Sequence, residues 1–317
     1  MTPLSRPRGR GWREGVITQC TEPRDPKPID NRQSSIDNSL MFVLGYNTNG
    51  FAHHRLEDAL AILAEIGYRS VAVTVERDLL DPPDPRAVTD AARRLNAALR
   101  TTELRCTIET GSRFILDPRR KHQPTLLSAD PPERRRRVDF LDAAIDLAAE
   151  VGAESVSLWS GSPDDNTDRP AAHDRLIESL AGLLDRARRA GVRLAFEPEP
   201  GMVIDTMESF AEVHDALNHP SLGLTLDVGH VHCLSDGDVG EHVDRWRGKL
   251  WNVHLEDMRR GIHEHLMFGD GEMDFVPVFR ALRSIDYHGP VHVELSRHGH
   301  DAVRTARCAY EFLRPFL

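Results

Sequence analysis

The chain has 317 residues, 40% hydrophobic and 28% charged, with a formal net charge of −10, as in an ordinary soluble globular protein. The acidic balance argues against a broad nucleic-acid or anionic-membrane footprint, and no apolar run approaches the roughly 18 residues of a membrane span. Basic residues near the N-terminus have no apolar segment behind them, so they do not read as a secretory signal; Cys20, Cys106, Cys233 and Cys308 fit no zinc-knuckle spacing and read as reduced thiols in a cytoplasmic protein.

Residues 1–39 are rich in Pro, Arg, Asp and Gly without apolar periodicity, which predicts a disordered leader. Met41 is then the natural start of the folded unit, and 40–317 a single domain. MFVLGY is a first strand, and LEDALAILAEIGY a helix with apolar residues at 3–4 spacing. SVAVTV and LRCTIET are the next strands, with PRAVTDAARRLNAALR the helix between them. A long loop, GSRFILDPRRKHQPTLLSADPPE, leads to the helix RRRRVDFLDAAIDLAAEVG, whose Arg134–Arg137 run reads as surface. ESVSLWS is strand four, followed by a helix from Asp174 to Ala190. VRLAFE, TMESFAEVHDALN and LGLTLD give strand, helix, strand, and a short helix follows over Gly240–Arg247. KLWNVHLE, DFVPVFRALRSIDY, PVHVEL and a terminal helix over Asp301–Phe312 complete the chain.

Strict strand–helix alternation implies a parallel sheet, and about eight units close it into a (β/α)₈ barrel of the TIM type. The competing open doubly wound sheet usually carries a GxGxxG turn after its first strand, which is missing here.

Four of these strands end alike. LAFEPEPG places Glu197 at the end of its apolar run, LGLTLDVGH places Asp227, LWNVHLED places His254 and PVHVEL places Glu294. Parallel barrel strands bring their C-terminal ends to one mouth, so the four side chains should converge. Each alone has a plain alternative: a carboxylate after a strand is often a helix cap or a solvated loop residue, and His254 is equally readable as a structural histidine. Three carboxylates and one imidazole make a hard, oxygen-rich site suited to Mn²⁺, with Mg²⁺ or Co²⁺ as alternatives and Zn²⁺ less favoured. Asn47 and Asn49 end strand one, Glu109 and Arg113 end strand three, and Trp159 ends strand four, where it would stack on the flat face of a ligand or simply fill the core. Glu199 reads either as a group that steadies a histidine or a substrate hydroxyl, or as an exposed loop acid. The basic loop Arg113, Arg119, Arg120, Lys121 and His122 would receive an anion, or be a solvated face.

Residues 41–315 resemble the sugar isomerase/epimerase barrels, similar to xylose isomerase, on LAFEPEPG, LTLDVGH, NVHLED with the following GDGEMDF, and VHVEL. The resemblance implies that Glu197, Asp227, His254 and Glu294 ligate one divalent metal, with Glu197 and Glu294 also the acid/base pair. It implies that His230, Arg260 and His265 contact substrate at the mouth, and that the enzyme is a homodimer or homotetramer. The expected chemistry is isomerisation or epimerisation of a sugar, keto-sugar or cyclitol by proton transfer through an enediolate. A metal-dependent lyase or hydrolase acting on a sugar derivative could use the same site, and a non-catalytic sugar-binding barrel is a more remote reading. The apurinic-site endonucleases of this superfamily would need further histidines at strands two and three, which here end VTVER and TIETGSR.

Overall fold

Eight strands are long enough and apolar enough to be covered on both faces, as a parallel sheet requires. They are Val43–Asn47 (β1), Ser70–Thr74 (β2), Arg105–Glu109 (β3), Val156–Leu158 (β4), Leu194–Phe196 (β5), Leu222–Asp227 (β6), Leu250–Leu255 (β7) and, after an inserted hairpin, Pro290–Val293 (β10). The computed structural model describes residues 42–81 and 86–317; the expected leader and the start at Met41 lie outside them. All eight strands pair in parallel and close as β1-β2-β3-β4-β5-β6-β7-β10. Every residue of β2 and β6 is buried.

The covering helices are Leu56–Ile66 (α1), Ala87–Thr102 (α2), Pro131–Val151 (α3), Arg169–Ala190 (α4), Met207–Leu217 (α5), Val228–Leu234 (α6), Val239–Trp246 (α7), Phe275–Ser284 (α8) and Ala302–Leu313 (α9). Their ends follow side-chain chemistry. Thr206 and Ser209 form a capping box on α5, and Asp168, Asp238 and Asp274 cap α4, α7 and α8. Because Asp168 accepts from the Ala171 N–H and Pro170 occupies the first turn, α4 begins at Arg169, five residues before the expected Asp174. Among the described residues no helix is long and apolar enough to cross a membrane.

Two elements depart from the sequence reading. Asp227 caps an unexpected short helix, α6, which carries His230. After β7 the chain makes an antiparallel hairpin of Asp257–Arg259 (β8) and Ile262–Leu266 (β9), in a segment to which the sequence reading assigned no element. One further expectation is corrected. Arg137 is buried: its guanidinium donates to the Pro124 and His122 carbonyls, 2.8 Å each, and packs over Trp159. Cys106 and Cys233 are buried free thiols.

Register sets the site. Asp227 pairs with His254 across β6 and β7, and His254 with His292 across β7 and β10. Inside the barrel His292 bridges Ser70 Oγ at 2.9 Å and Asn252 Oδ1 at 2.8 Å. Gly45, on β1 beside His292, leaves that ring its space, since a Cβ there would collide with it.

Candidate metal centre

His254 is the hub. It alternates with Val253 and Leu255 along β7, so its ring points into the barrel, and it is buried. Its Nδ1 lies 2.9 Å from Glu197 Oε1 and 2.8 Å from Glu294 Oε2. Its Nε2 lies 3.1 Å from Glu109 Oε1 and 3.0 Å from Asn252 Nδ2, and Asn252 also donates to Glu109 at 3.2 Å. Burial opposes a charge on His254, but Glu197, Glu109 and Glu294 outweigh it and raise its proton affinity well above the ordinary imidazole range.

The carboxylates differ among themselves. Burial pushes Glu197 up to about 8 against the pull of His254. Burial acts on Glu294 too, but His254, His265 and His230 overcome it and hold Glu294 well below the usual range. Asp227 is likewise lowered: burial opposes, and His230 and His265 prevail. Asn49 Nδ2 donates to Glu294 Oε1 at 2.8 Å, while its own Oδ1 is buried without a partner. Asp227 Oδ1 accepts the His230 N–H at 2.8 Å; its Oδ2 is buried and accepts no hydrogen bond.

Glu197, Asp227, His254 and Glu294 each offer a ligand atom, and the four atoms lie within 4.8 Å of one another. Three crowded acids, one with an unsatisfied buried oxygen, form a donor set that fits a divalent cation.

The other expected residues fall into two groups. His230, on α6, is buried, with Nδ1 3.1 Å from the Pro198 carbonyl and Nε2 3.1 Å from His263 Nε2. His265, on β9, places Nδ1 3.1 Å from the Glu294 carbonyl. Glu199 lies 3.8 Å from both His230 Nε2 and His263 Nε2. Glu109 joins the hub directly. Asn47 stands one layer away, accepting from Thr74 Oγ1 at 2.7 Å and the Asn49 N–H at 3.1 Å. Trp159 is buried, edge-on to His122 at 5.3 Å. Arg260 is exposed on the hairpin turn, where its N–H donates to Glu272 at 2.7 Å and its guanidinium to Ser235 at 3.1 Å. In the basic loop Arg120 is taken up by Asp117 at 2.6 Å and Glu133 at 2.9 Å.

Sequence reasoning missed Asn252, His263 and Glu256. Asn252 is two residues before His254, so alternation places both on the inner face. His263 and His265 share that i, i+2 signature, but IHEHL is too polar to read as a strand. Glu256 is fully buried with neither oxygen hydrogen-bonded; burial and neighbouring Asp227 push it well above the usual carboxylate range.

An L-ribulose-5-phosphate 3-epimerase of Shigella flexneri is 29% identical over 196 residues, 59% of this chain and 66% of that relative, so the chain spans just under two thirds of the relative's length. In fold, the chain superposes on a D-allulose 3-epimerase of Methylomonas with a TM-score of 0.69 at 20% identity, covering 87% of this chain and 98% of the other. It also superposes on the IOLI protein with a binding zinc atom, with a TM-score of 0.70 at 18% identity, covering 87% and 98%. The xylose isomerase-like TIM barrel family model matches residues 60–316, and the chain belongs to that family.

Proposed function

We propose that the chain is a divalent-metal-dependent epimerase or isomerase of a keto-sugar or cyclitol, moving a proton at a carbon beside a carbonyl. One observation carries the reading: Glu197 and Glu294, on strands separated in the barrel by β6 and β7, meet the same imidazole nitrogen at 2.9 and 2.8 Å. Their environments push their proton affinities apart, the arrangement expected of an acid and a base sharing one task. Glu294, held ionised, takes the proton from the substrate carbon, and the electron pair moves onto the carbonyl to give an enediolate. Glu197, holding its proton, delivers it to the opposite face. Exchange with solvent then resets the pair. Asn49 fixes the Glu294 carboxylate through its 2.8 Å bond.

Glu197, Asp227, His254 and Glu294 would hold the cation, Mn²⁺ by preference, since three carboxylates and one imidazole favour a hard ion. When bound, the cation supplies positive charge beside the substrate's carbonyl and hydroxyl oxygens, which acidifies the neighbouring C–H. The named activities of the Shigella and Methylomonas relatives, both sugar 3-epimerases, support this reaction class.

The test is deuterium uptake from D₂O, read by mass, over a panel of keto-sugars, their phosphates and inososes. The wild type should label its substrate, and Glu197→Gln and Glu294→Gln should each lower uptake by about 10²–10⁴-fold with the fold intact. Uptake retained in both variants refutes the acid/base assignment. Bond cleavage without uptake would favour the lyase or hydrolase.

A further inference from the structure

We infer that the substrate, on the reading above a keto-sugar or cyclitol, carries a phosphate or carboxylate group, and that Arg113 and Lys121 receive this anion over the barrel mouth. Both are exposed on the loop that follows β3. Arg113 extends from that loop to the segment after β10, where its guanidinium donates to Ser296 Oγ at 3.2 Å, two residues beyond Glu294. His122, next to Lys121, lies edge-on to Trp159 at 5.3 Å, and Trp159 follows β4. The substrate class rests on the proposed reaction, whereas the anion site rests on the loop.

The loop holds these cations in place. The Phe114 N–H donates to the Lys121 carbonyl at 2.7 Å, so Arg113 and Lys121 stand at the two ends of a closed turn. Buried Arg137 holds the His122 and Pro124 carbonyls at 2.8 Å each, and Gln123 Nε2 donates to the Ser162 carbonyl at 3.0 Å. Arg120 is neutralised within the loop by Asp117 and Glu133. Arg113 and Lys121 are not: among the described residues neither makes an ion pair, and Glu76 and Glu199 act on them from beyond ion-pair distance. Two cations fixed without a carboxylate partner are what a charge-assisted anion site requires.

The surroundings favour an incoming anion. Burial and Arg113 lower the proton affinity of Lys121 below the ordinary amine range, with Glu199 opposing and Arg297 adding to the effect. Burial, Lys121, Arg137 and Arg113 hold His122 down to about 4, so its ring is neutral, and its Nδ1 is buried without a hydrogen bond. Arg297 is already paired with Glu264 at 3.0 Å. An anion between Arg113 and Lys121 relieves their mutual repulsion. It also meets a need set by the centre: Glu197, Asp227 and Glu294 repel a phosphate or carboxylate, and two cations at the rim reverse the local sign. Nothing in the proton transfer between Glu197 and Glu294 uses these cations, so they act on a part of the substrate remote from the reacting carbon.

The experiment compares matched ligands. Full-length protein is loaded with Mn²⁺, dialysed and titrated by calorimetry with ketopentoses and ketohexoses, with their terminal phosphates, and with the corresponding keto-acids that end in a carboxylate. At least one anionic form should bind about tenfold or more tightly than its neutral parent. Preference for the phosphates or for the carboxylates names the source of the charge, and either supports the site. Arg113→Gln/Lys121→Gln should bring the pair to within about threefold by weakening the anionic form. Arg188→Gln/Arg189→Gln, which removes two exposed cations from α4, should keep the preference. Three results overturn the proposal: no anionic form bound more tightly than its parent, a preference that survives in the loop variant, or one lost in the α4 variant. Should the loop variant fail to fold, salt reads the same point on wild type. The preference should shrink as ionic strength rises from about 0.05 to 0.5 M, because exposed charges are screened; a preference indifferent to salt overturns the proposal. Deuterium uptake is measured separately. Anionic preference in binding without any uptake keeps the site and removes the epimerase, whereas uptake without anionic preference removes the site and keeps the epimerase.

Discussion

Glu197→Gln should stabilise the metal-free protein, and by an amount that grows with pH. Burial raises Glu197 from 4.5 to about 8, so the folded chain holds a proton that the unfolded chain releases. The sign follows from linkage: this contribution is full below 4.5 and is lost as pH rises through 8. Each unit of that window removes at most about 1.4 kcal/mol, for a total on the order of 3–5 kcal/mol. Burying a carboxylate beside Glu294 and Asp227 is the physical origin of the loss, and a neutral amide of the same shape escapes it. Other groups titrate as well. His254 is raised above 6.5 and adds its own falling slope at higher pH, while Glu76, Asp142 and Glu256 are raised as Glu197 is. Glu294 and Asp227 are lowered, so their contributions vanish only as pH falls below the ordinary carboxylate values. The quantity to read is therefore the difference between variant and wild type. In urea denaturation with chelator present, that difference should widen by about 2 kcal/mol between pH 5 and 6.5. A difference that stays constant across the window refutes the assignment of the raised proton affinity to Glu197.

Three further outcomes follow from the same structure. Mn²⁺ should raise the Tm of chelator-treated protein more at pH 8 than at pH 6, because the proton on His254 competes with the cation; equal shifts in a thermal melt would count against this ligand set. Asn49→Ala removes the 2.8 Å bond that fixes Glu294 and should lower kcat about tenfold with little change in KM, an effect of the size of one charge-assisted hydrogen bond; an unchanged kcat would remove Asn49 from the positioning role. Arg137→Ala strands the buried Pro124 carbonyl and the part-buried His122 carbonyl and should cost about 3 kcal/mol in equilibrium unfolding, whereas a loss below about 0.5 kcal/mol would place Arg137 among ordinary surface residues.

The barrel was legible because its information is local and repeated. Each unit carries an apolar strand, an amphipathic helix and a terminating residue such as Gly67, Gly152 or Gly191. The convergence of Glu197, Asp227, His254 and Glu294 followed from that topology: equivalent positions on parallel strands meet, whatever their separation in sequence. The features that went unseen are those whose signal is short or depends on contact. Val228–Leu234 spans seven residues, too few to show helical periodicity, and only the Asp227 cap marks its start. Asp257–Arg259 is only three residues long and Ile262–Leu266 carries His263, Glu264 and His265 in its middle, so neither shows an apolar strand run, although Asp257 and Met258 are buried. Arg137 looked like one of four equivalent arginines; burial separated it, through carbonyls that no pattern in the helix could show.

Glu109, Glu197, Asp227 and Glu294 all lie around one imidazole, in a pocket where Glu256 is also buried without a hydrogen bond. A core chosen for stability alone would not place five acids there, since each unpaired buried carboxylate opposes folding. Protons on Glu197, Glu256 and His254 offset part of that charge, and the proposed cation would offset the rest. The support around them points the same way: Asn252 steadies Glu109, Asn49 steadies Glu294, and the Asp227 cap ties α6 to the centre. Rigid donors arranged before any ion arrives lower the cost of ordering the site when it binds. If the proposed cation binds there, it would relieve the repulsion among these acids, so cation affinity and a lower stability of the metal-free barrel would have one cause.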